Sequence, residues 1–370
     1  MAATLLIQTA FIGDVILMTA LLEYLHQTAP ETPVDVLVRR GNEGLLKGHP
    51  HVRQVLVWDK KNGKYRQLWQ LLGQIRAAKY GRVVTLQRFA STGFLTAFSG
   101  APERVGFAKN PLSRFFTKRV AHQIGDGTHE VERNLRLLED NSANSKMVGA
   151  GHSVLGVGGG NELLSPSQKS DTEHRTSNTQ IPFPPRLYPS AADEATAAMY
   201  AAAGPYICLA PNSVWFTKQY PEGKWLELLA ALPAGLRVYL LGGPPDVAAC
   251  EQLAAATSRP GMESLAGKLG LLASAALMRG AVMNYVNDSA PMHLCSAVGA
   301  PVTAIFCSTV PEFGFGPLAP VSFVVETKEA LACRPCGLHG HGACPQGHFR
   351  CAYSIEVAQL TDALNRPTRA

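Results

Sequence analysis

The sequence lacks any run of about 18 uncharged apolar residues, the length that a membrane-spanning helix requires. The best candidate, Met1–Leu25, is interrupted by Asp14 and Glu23. Neither a basic leading segment nor an A-x-A-type cleavage site accompanies it, so it does not resemble a signal peptide. We therefore expect a cytoplasmic protein, for which peripheral attachment to an anionic membrane surface stays open.

Two common nucleotide-binding signatures are also missing. No G-x-G-x-x-G follows a strand candidate, because the glycine cluster at 156–160 lies in a low-complexity stretch. This absence argues against a dinucleotide-dependent oxidoreductase. The G-x-x-x-x-G-K-[ST] spacing of a Walker A loop does not occur either.

Charge is sparse and mildly basic. Charged residues make up 17% of the 370 residues, and 34 Lys and Arg against 28 Asp and Glu give a net charge of +6. This balance suits a phosphorylated substrate or an anionic membrane surface, and by itself does not indicate nucleic acid. With 46% hydrophobic residues, the chain is neither disordered nor a coiled coil, and its length fits two domains or one large one.

Short apolar runs alternate with amphipathic stretches over residues 1–140. This rhythm predicts a mostly parallel α/β sheet with helices on both faces. The predicted strands are Thr4–Gln8, Val34–Val38, Val52–Val57 and Val83–Leu86, and the predicted helices are Asp14–Leu25, Gln67–Ala78 and His129–Asp140.

A predicted linker and a second series of alternating strands and helices follow. Seven Ser, six Gly and four Asn in Asn141–Gln180 predict a flexible linker or insertion, here assigned to 141–185. A second α/β unit is predicted over 186–330, so the fold class is α/β with two doubly wound halves. Its predicted strands are Tyr206–Ala210, Leu236–Leu241, Val282–Val286 and Val302–Phe306, and its helices are Glu222–Leu232, Leu269–Gly280 and Pro291–Val298. Ligands of such sheets bind beyond the carboxyl ends of the strands, here in a cleft between the halves.

Asp14 is the first candidate for chemistry. It follows the strand Thr4–Gln8 and a turn at Gly13, which permits close backbone approach. The carboxylate either complements the helix dipole or acts as a general base in the cleft.

Two further motifs have features suited to binding anions. Pro211–Lys218, between a strand and a helix, combines hydroxyls with a lysine, which suits a diphosphate but also an ordinary basic loop. In Asn287–His293, Asp288 or Ser289 can cap a helix that begins near Pro291. The N-terminus of that helix offers free amide donors to an anion, and capping leaves His293 unexplained.

Four segments together resemble glycosyltransferase family 9, the ADP-heptose:lipopolysaccharide heptosyltransferases, and the heptosyltransferase II branch in particular. They are Phe11–Val15, Pro211–Lys218, Leu240–Pro244 and Asn287–Leu294. The resemblance covers most of the chain outside 141–180. It implies a GT-B fold of two Rossmann-like domains, the acceptor on 1–140 and the nucleotide sugar on 186–330. It also implies inverting transfer that is independent of metal and requires no cofactor.

The resemblance also implies roles for individual residues. Asp14 would deprotonate the acceptor hydroxyl, and Lys218 would hold the donor diphosphate with Ser213 and Thr217. Gly242 would lie near the adenosine. The remaining donor-pocket residues would be Asp288, Ser289, Met292 and His293. The sequence departs from the family at Ala290, usually Gly, and at Cys295, often Ala.

The resemblance makes a heptosyltransferase the leading hypothesis, with ADP-heptose as donor and a lipopolysaccharide core lipid at the inner-leaflet membrane surface as acceptor. A family member with another nucleotide sugar and glycan is one alternative. A non-catalytic nucleotide-sugar-binding protein is another, although binding alone does not need Asp14. The cations that could meet the acceptor's phosphates are Lys60, Lys61, Arg88, Arg104, Lys109, Lys118 and Arg119.

A Cys- and His-rich tail with a C-terminal helix is assigned to 331–370. Its cysteines, Cys333, Cys336, Cys344 and Cys351, contain one C-x2-C pair, but the second pair is too widely spaced for an ordinary zinc knuckle. Packed thiols, a structural zinc and a nucleic-acid-binding knuckle all stay open. The other four, Cys208, Cys250, Cys295 and Cys307, are predicted to be buried thiols.

Overall fold

The computed structural model describes residues 2–139 and 181–365. The predicted linker Asn141–Gln180, with its glycine cluster, lies outside the described residues. Within the described ranges, the chain forms two parallel six-stranded sheets, each with its own set of helices.

The first sheet is built from residues 4–120. Its strands are β1 (Thr4–Gln8), β2 (Val34–Arg39), β3 (Gln54–Trp58), β4 (Arg82–Thr85), β5 (Glu103–Phe107) and β6 (Lys118–Val120). The helices that accompany it are α1 (Ile12–Thr28), α2 (Lys64–Ala78), α3 (Ala90–Ala97) and α4 (Glu130–Leu135).

The second sheet is built from residues 206–326. Its strands are β7 (Tyr206–Ala210), β8 (Arg237–Leu240), β9 (Met262–Ser264), β10 (Met283–Asn287), β11 (Val302–Phe306) and β12 (Ser322–Glu326). The accompanying helices are α5 (Ala191–Ala201), α6 (Glu222–Ala231), α7 (Val247–Ala255), α8 (Leu271–Gly280), α9 (Ala290–Val298), α10 (Arg350–Tyr353) and α11 (Val357–Asn365).

Both sheets have the same strand order. The first runs β3-β2-β1-β4-β5-β6 and the second β9-β8-β7-β10-β11-β12, with all neighbours parallel. In each sheet the order reverses beside its first strand, between β1 and β4 and between β7 and β10. Loops leave a doubly wound sheet in opposite directions at such a point, which opens a crevice for a ligand. The predicted doubly wound α/β class is therefore confirmed.

The two sheets meet through α1 and α9, which pack against each other. One apolar core runs continuously across this contact, from Val15 and Leu22 of α1 to Leu294 and Ala297 of α9. Since both helices begin at the carboxyl edges of their sheets, their N-termini face the same cleft.

The sequence-based boundaries need one substantial correction. The helix predicted at His129–Asp140 ends at Leu135, because Leu137 and Leu138 donate to the carbonyls of Asn134 and Leu135 in i→i−3 bonds that tighten the chain into turns. Asp140 lies outside the described residues. The C-terminal helix expected in 331–370 is α11, which packs against α6 of the second sheet. In the part of the chain that the structure describes, no helix has the length and apolar character needed to cross a bilayer.

Candidate functional site

Asp14 lies in the first turn of α1, where the chain leaves the central strand β1. Its Oδ2 accepts a hydrogen bond from the backbone N–H of Phe11 at 3.1 Å. This bond satisfies one of the free donors at the helix N-terminus. The capping role expected from the sequence is therefore present in the structure.

The environment of Asp14 makes its carboxylate more basic than usual. Burial, with a smaller contribution from the carboxylate of Glu130, raises its pKa to about 6, against the hydrogen bonds from the Phe11 and Asp14 backbone N–H groups and the charge of Arg39. An aspartate in this range is ionised at neutral pH and accepts a proton more readily than one in water.

Gly13 brings the two sides of the cleft into contact. A Cβ atom placed on Gly13 would lie 2.8 Å from Cδ2 of His293, on α9 of the second sheet. A side chain at position 13 would therefore push the N-terminus of α1 away from α9. The glycine that the sequence placed in a turn is needed here for close approach across the cleft.

His293 is a neutral group in the cleft. Burial lowers its pKa to about 4, with Lys218 and His129 acting in the same direction against Asp288. Its Nδ1 is buried without a hydrogen-bond partner. A neutral imidazole adds no positive charge beside Asp14, so it does not counteract the raised pKa of that carboxylate.

Lys218 and Asp288 form an ion pair beyond β7 and β10. Lys218 Nζ lies 2.6 Å from Asp288 Oδ2, and the same oxygen accepts the hydroxyl of Thr309 at 2.6 Å. Both side chains are largely buried. Two loops separated by 70 residues in sequence thus place one cation at the mouth of the crevice.

Buried polar contacts hold these loops in place. The amide of Asn287 accepts from the Tyr220 backbone N–H at 2.9 Å and donates to the Pro211 carbonyl at 2.7 Å. The buried hydroxyl of Thr217 accepts from the backbone N–H of His341 at 2.8 Å and from Ser308 at 3.1 Å. Thr217 therefore joins the Cys- and His-rich segment to the Lys218 loop.

The other residues predicted for the donor pocket lie in two environments, the loops at the edge of the second sheet and the apolar core. Ser213 and Ser289 are half-buried at the loops that follow β7 and β10, and Gly242 is half-buried after β8. These three lie at the carboxyl edge of the second sheet. Met292 has no exposed surface and belongs to the apolar core, because its position on α9 faces inward.

Of the seven cations predicted for the acceptor, Lys60 reaches the cleft edge of the first sheet. Its Nζ donates to the carbonyl and hydroxyl of Thr9, both at 2.9 Å, just beyond β1. Burial lowers its pKa to about 8. By contrast, Lys118 donates to the carbonyls of Leu137 and Glu139, and Arg104 to those of Ala101 and Phe115.

Sequence reasoning missed Glu130, the carboxylate that contributes to the raised pKa of Asp14. Glu130 accepts from the buried guanidinium of Arg133 at 2.8 Å, and that guanidinium also donates to the Phe313 carbonyl of the second unit at 2.8 Å. The backbone N–H of Glu130 donates to the Gly314 carbonyl. Glu130 and Asp14 are 116 positions apart, and no local pattern signals their proximity.

The four tail cysteines are free thiols. Among the described residues, which include all four, no group of three or more His, Cys, Asp or Glu side chains could hold a metal ion. The arrangement of Cys333, Cys336, Cys344 and Cys351 therefore does not support the structural zinc considered above. Cys351 is buried and the other three are half-buried.

Comparison with known sequences identifies a family. The profile of glycosyltransferase family 9 (heptosyltransferase) matches residues 68–337. The chain is 24% identical over 309 residues to lipopolysaccharide heptosyltransferase 3 of Escherichia coli, an alignment that covers 81% of this chain and 82% of that protein.

Solved structures show the same architecture. The E. coli ADP-heptose lipopolysaccharide heptosyltransferase II has a TM-score of 0.75 and 19% identity, covering 98% of this chain and 97% of that one. E. coli heptosyltransferase WaaC with ADP-2-deoxy-2-fluoro heptose has a TM-score of 0.60 and 20% identity, covering 88% and 93%. At these identities the likeness establishes the fold, and the expected GT-B arrangement is confirmed.

Proposed function

Because this chain belongs to glycosyltransferase family 9 and is an enzyme of the heptosyltransferase type, we propose that it transfers a heptose from ADP-heptose to a sugar of a lipopolysaccharide core. The observation that carries this proposal is that Gly13, next to Asp14, lies against His293, and that the pKa of His293 is in turn lowered by the charge of Lys218. These contacts support a site in which Asp14 of the first unit acts as the base and Lys218 of the second as the cation.

The donor assignment is supported by the anion-binding features of the second sheet. Lys218 and the N-terminus of α9 both lie beyond the carboxyl ends of neighbouring strands, where a diphosphate would be neutralised. A solved WaaC structure in this comparison contains an ADP-heptose analogue. Ser213, Gly242, Asp288, Ser289 and His293 would complete the donor pocket, while Thr217 and Met292 would shape it from within.

The reaction that we propose inverts the anomeric carbon. The acceptor hydroxyl attacks C1 of the heptose while Asp14 takes the hydroxyl proton. The bond from C1 to the β-phosphate oxygen breaks, and the electron pair leaves with ADP. Lys218 and the helix N-terminus stabilise the charge on the departing diphosphate, and this chain's own groups thus account for both ends of the displacement.

Transfer is tested directly with purified protein, ADP-heptose and a heptose-deficient lipid core. We expect ADP release matched by an acceptor mass increase of one heptose. ADP-glucose and a UDP-sugar serve as comparison donors, because the leading alternative is a family member with another donor. Binding of ADP-heptose without transfer would favour the non-catalytic alternative, and turnover only with another donor would contradict the heptose assignment.

The pH dependence of transfer reports on Asp14. Since the carboxylate must be ionised to accept a proton, kcat/KM should fall as the pH drops through about 6. Replacing Glu130 with Gln removes a negative charge near Asp14, lowers the pKa of Asp14 and moves this limb to lower pH. The shift is expected to be at most about one pH unit, because burial, the larger cause, is unchanged.

Glu132→Gln is the matched control for this profile. Glu132 lies on the same helix and accepts the backbone N–H of His129 at 2.8 Å, a bond that Gln can also accept. The control should keep the wild-type acid limb. An unmoved limb in Glu130→Gln, or equal movement in both variants, would contradict the assignment of Asp14 as the titrating base.

A further inference from the structure

An aromatic strip crosses the outer surface of the first unit. We define it by its residues, Tyr65, Trp69, Phe94, Phe98 and Phe115. Ring centroids along it are 5.1 Å apart for Trp69 and Phe94, 5.2 Å for Phe94 and Phe98, and 5.7 Å for Phe98 and Phe115. Tyr65 precedes Trp69 by one turn of α2 and so shares its face.

The strip is exposed to an unusual degree. Tyr65 is 72% exposed and Trp69 is 65% exposed, although both are large rings on a regular helix. The buried face of α2 is formed by other side chains, Leu68, Leu71, Leu72 and Ile75. Packing of α2 therefore does not require Tyr65 and Trp69, while Phe94 joins the strip to the core below it. Contiguous exposed apolar side chains of this kind commonly mark an interaction surface.

The segment of the chain that carries the strip is rich in cations and nearly free of acids. Residues 60–119 contain 13 Lys and Arg and a single acidic residue, Glu103, which pairs with Arg82. The whole chain has a net charge of only +6, so its positive charge is concentrated here. Among the described residues, Lys64, Arg66 and Arg114 form no ion pair with a carboxylate.

Two cations contact aromatic rings of the strip. The Arg114 guanidinium lies 4.8 Å from the ring centroid of Phe115, and Lys64 Nζ lies 5.5 Å from that of Tyr65. Aromatic rings with adjacent cations match the interface of an anionic bilayer, where rings sit at headgroup level and cations meet phosphates. A single-stranded nucleic acid needs free ring faces for stacking, and here neighbouring rings meet each other at steep or tilted angles.

The strip adjoins the acceptor side of the cleft. Lys60, bonded to Thr9 just beyond β1, is four residues before Lys64, where α2 begins. A lipid-anchored acceptor held by a surface on α2 and α3 would thus reach the cleft from the side of Asp14.

We propose that the aromatic strip and the cations beside it dock the protein on a bilayer of anionic phospholipid. This proposal rests on the proposed function only for its purpose, which is to present a lipid-linked acceptor to the cleft. Docking itself requires neither donor nor acceptor.

Vesicle sedimentation tests the proposal with the full chain. Wild-type protein should partition onto vesicles of phosphatidylcholine and phosphatidylglycerol and much less onto phosphatidylcholine alone, with binding weakened by high salt. Tyr65→Ala/Trp69→Ala should lower the partition coefficient roughly ten-fold or more. Lys64→Gln/Arg114→Gln should lower it by roughly 25-fold, which is about five-fold for each cation removed.

The matched control removes two exposed apolar side chains elsewhere. Met199→Ala/Tyr353→Ala replaces residues that are 69% and 57% exposed on helices of the second unit, and it should bind vesicles as the wild type does. All variants should transfer normally to a delipidated, water-soluble core, which separates docking from catalysis. Equal partitioning of strip and control variants would overturn the proposal. Binding to a single-stranded RNA of about 20 nucleotides, long enough to fill a typical binding site, without binding to vesicles would also overturn it.

Discussion

Replacing Asp14 with Asn is expected to lower kcat by about 10²–10⁴-fold, the usual contribution of a general base, while ADP-heptose binding is unchanged. Asn keeps the size of the side chain and an oxygen that can accept the Phe11 backbone N–H, the bond that Asp14 makes at 3.1 Å. What it removes is the basic oxygen. Single-turnover transfer rates and calorimetric titration with ADP-heptose measure the two quantities separately.

Asp193→Asn is the matched control for this substitution. Asp193 occupies the same third position of its helix, α5, and accepts the backbone N–H of Ser190 at 2.9 Å. It lies half-buried in the first turn of α5, on the second unit. If both variants lost activity equally, helix capping would explain the effect. If Asp14→Asn kept full turnover, the base would have to be sought elsewhere in the cleft.

Replacing Lys218 with Met should cost about 10²–10³-fold in kcat, comparable to the loss of one preorganised group that stabilises a developing anion. Binding of ADP should weaken as well, because the diphosphate is charged before and after transfer. Met keeps much of the aliphatic length of the side chain, so the loop can still pack. Transfer rates and ADP titrations give the two effects.

Stability must be measured beside activity for this variant. Lys218 pairs at 2.6 Å with Asp288, a largely buried carboxylate, and an unpaired buried charge destabilises a fold. Lys224→Met breaks an exposed pair with Glu227 on α6 and should alter neither transfer nor the unfolding temperature appreciably. A Lys218→Met protein that has the wild-type unfolding temperature, full turnover and full ADP affinity would contradict the role assigned to Lys218.

The strands and helices with strong apolar periodicity could be predicted from the sequence. Thr4–Gln8, Tyr206–Ala210 and Val302–Phe306 were predicted with the bounds that the structure has. These strands are buried on both faces, so their apolar runs are continuous and end sharply. The sequence did not reveal the three-residue strands β6 and β9 or the five-residue strands β5 and β12. Each of these carries polar or charged residues within or at the ends of its short apolar run, which leaves too little pattern.

Part of the candidate site could likewise be predicted from the sequence, and part of it could not. Asp14, Lys218 and Asp288 could be identified because each follows a buried strand, and residues that follow parallel strands gather at one edge of a sheet. Glu130 could not, since its influence on Asp14 depends on how α4 packs against α1. Nor could the position of Thr217, whose hydroxyl is occupied by partners from two distant segments.

The sequence by itself determined that this protein has two doubly wound halves and which loops are the candidates for the site, because periodicity and loop position are local properties of the chain. Only the tertiary structure decided that Gly13 lies against His293, that Lys218 pairs with Asp288 and that Glu130 acts on Asp14. These are contacts between segments far apart in sequence, formed when α1 packs on α9 and brings the two sheets together. Burial at that contact is what changes an ordinary aspartate into a stronger base.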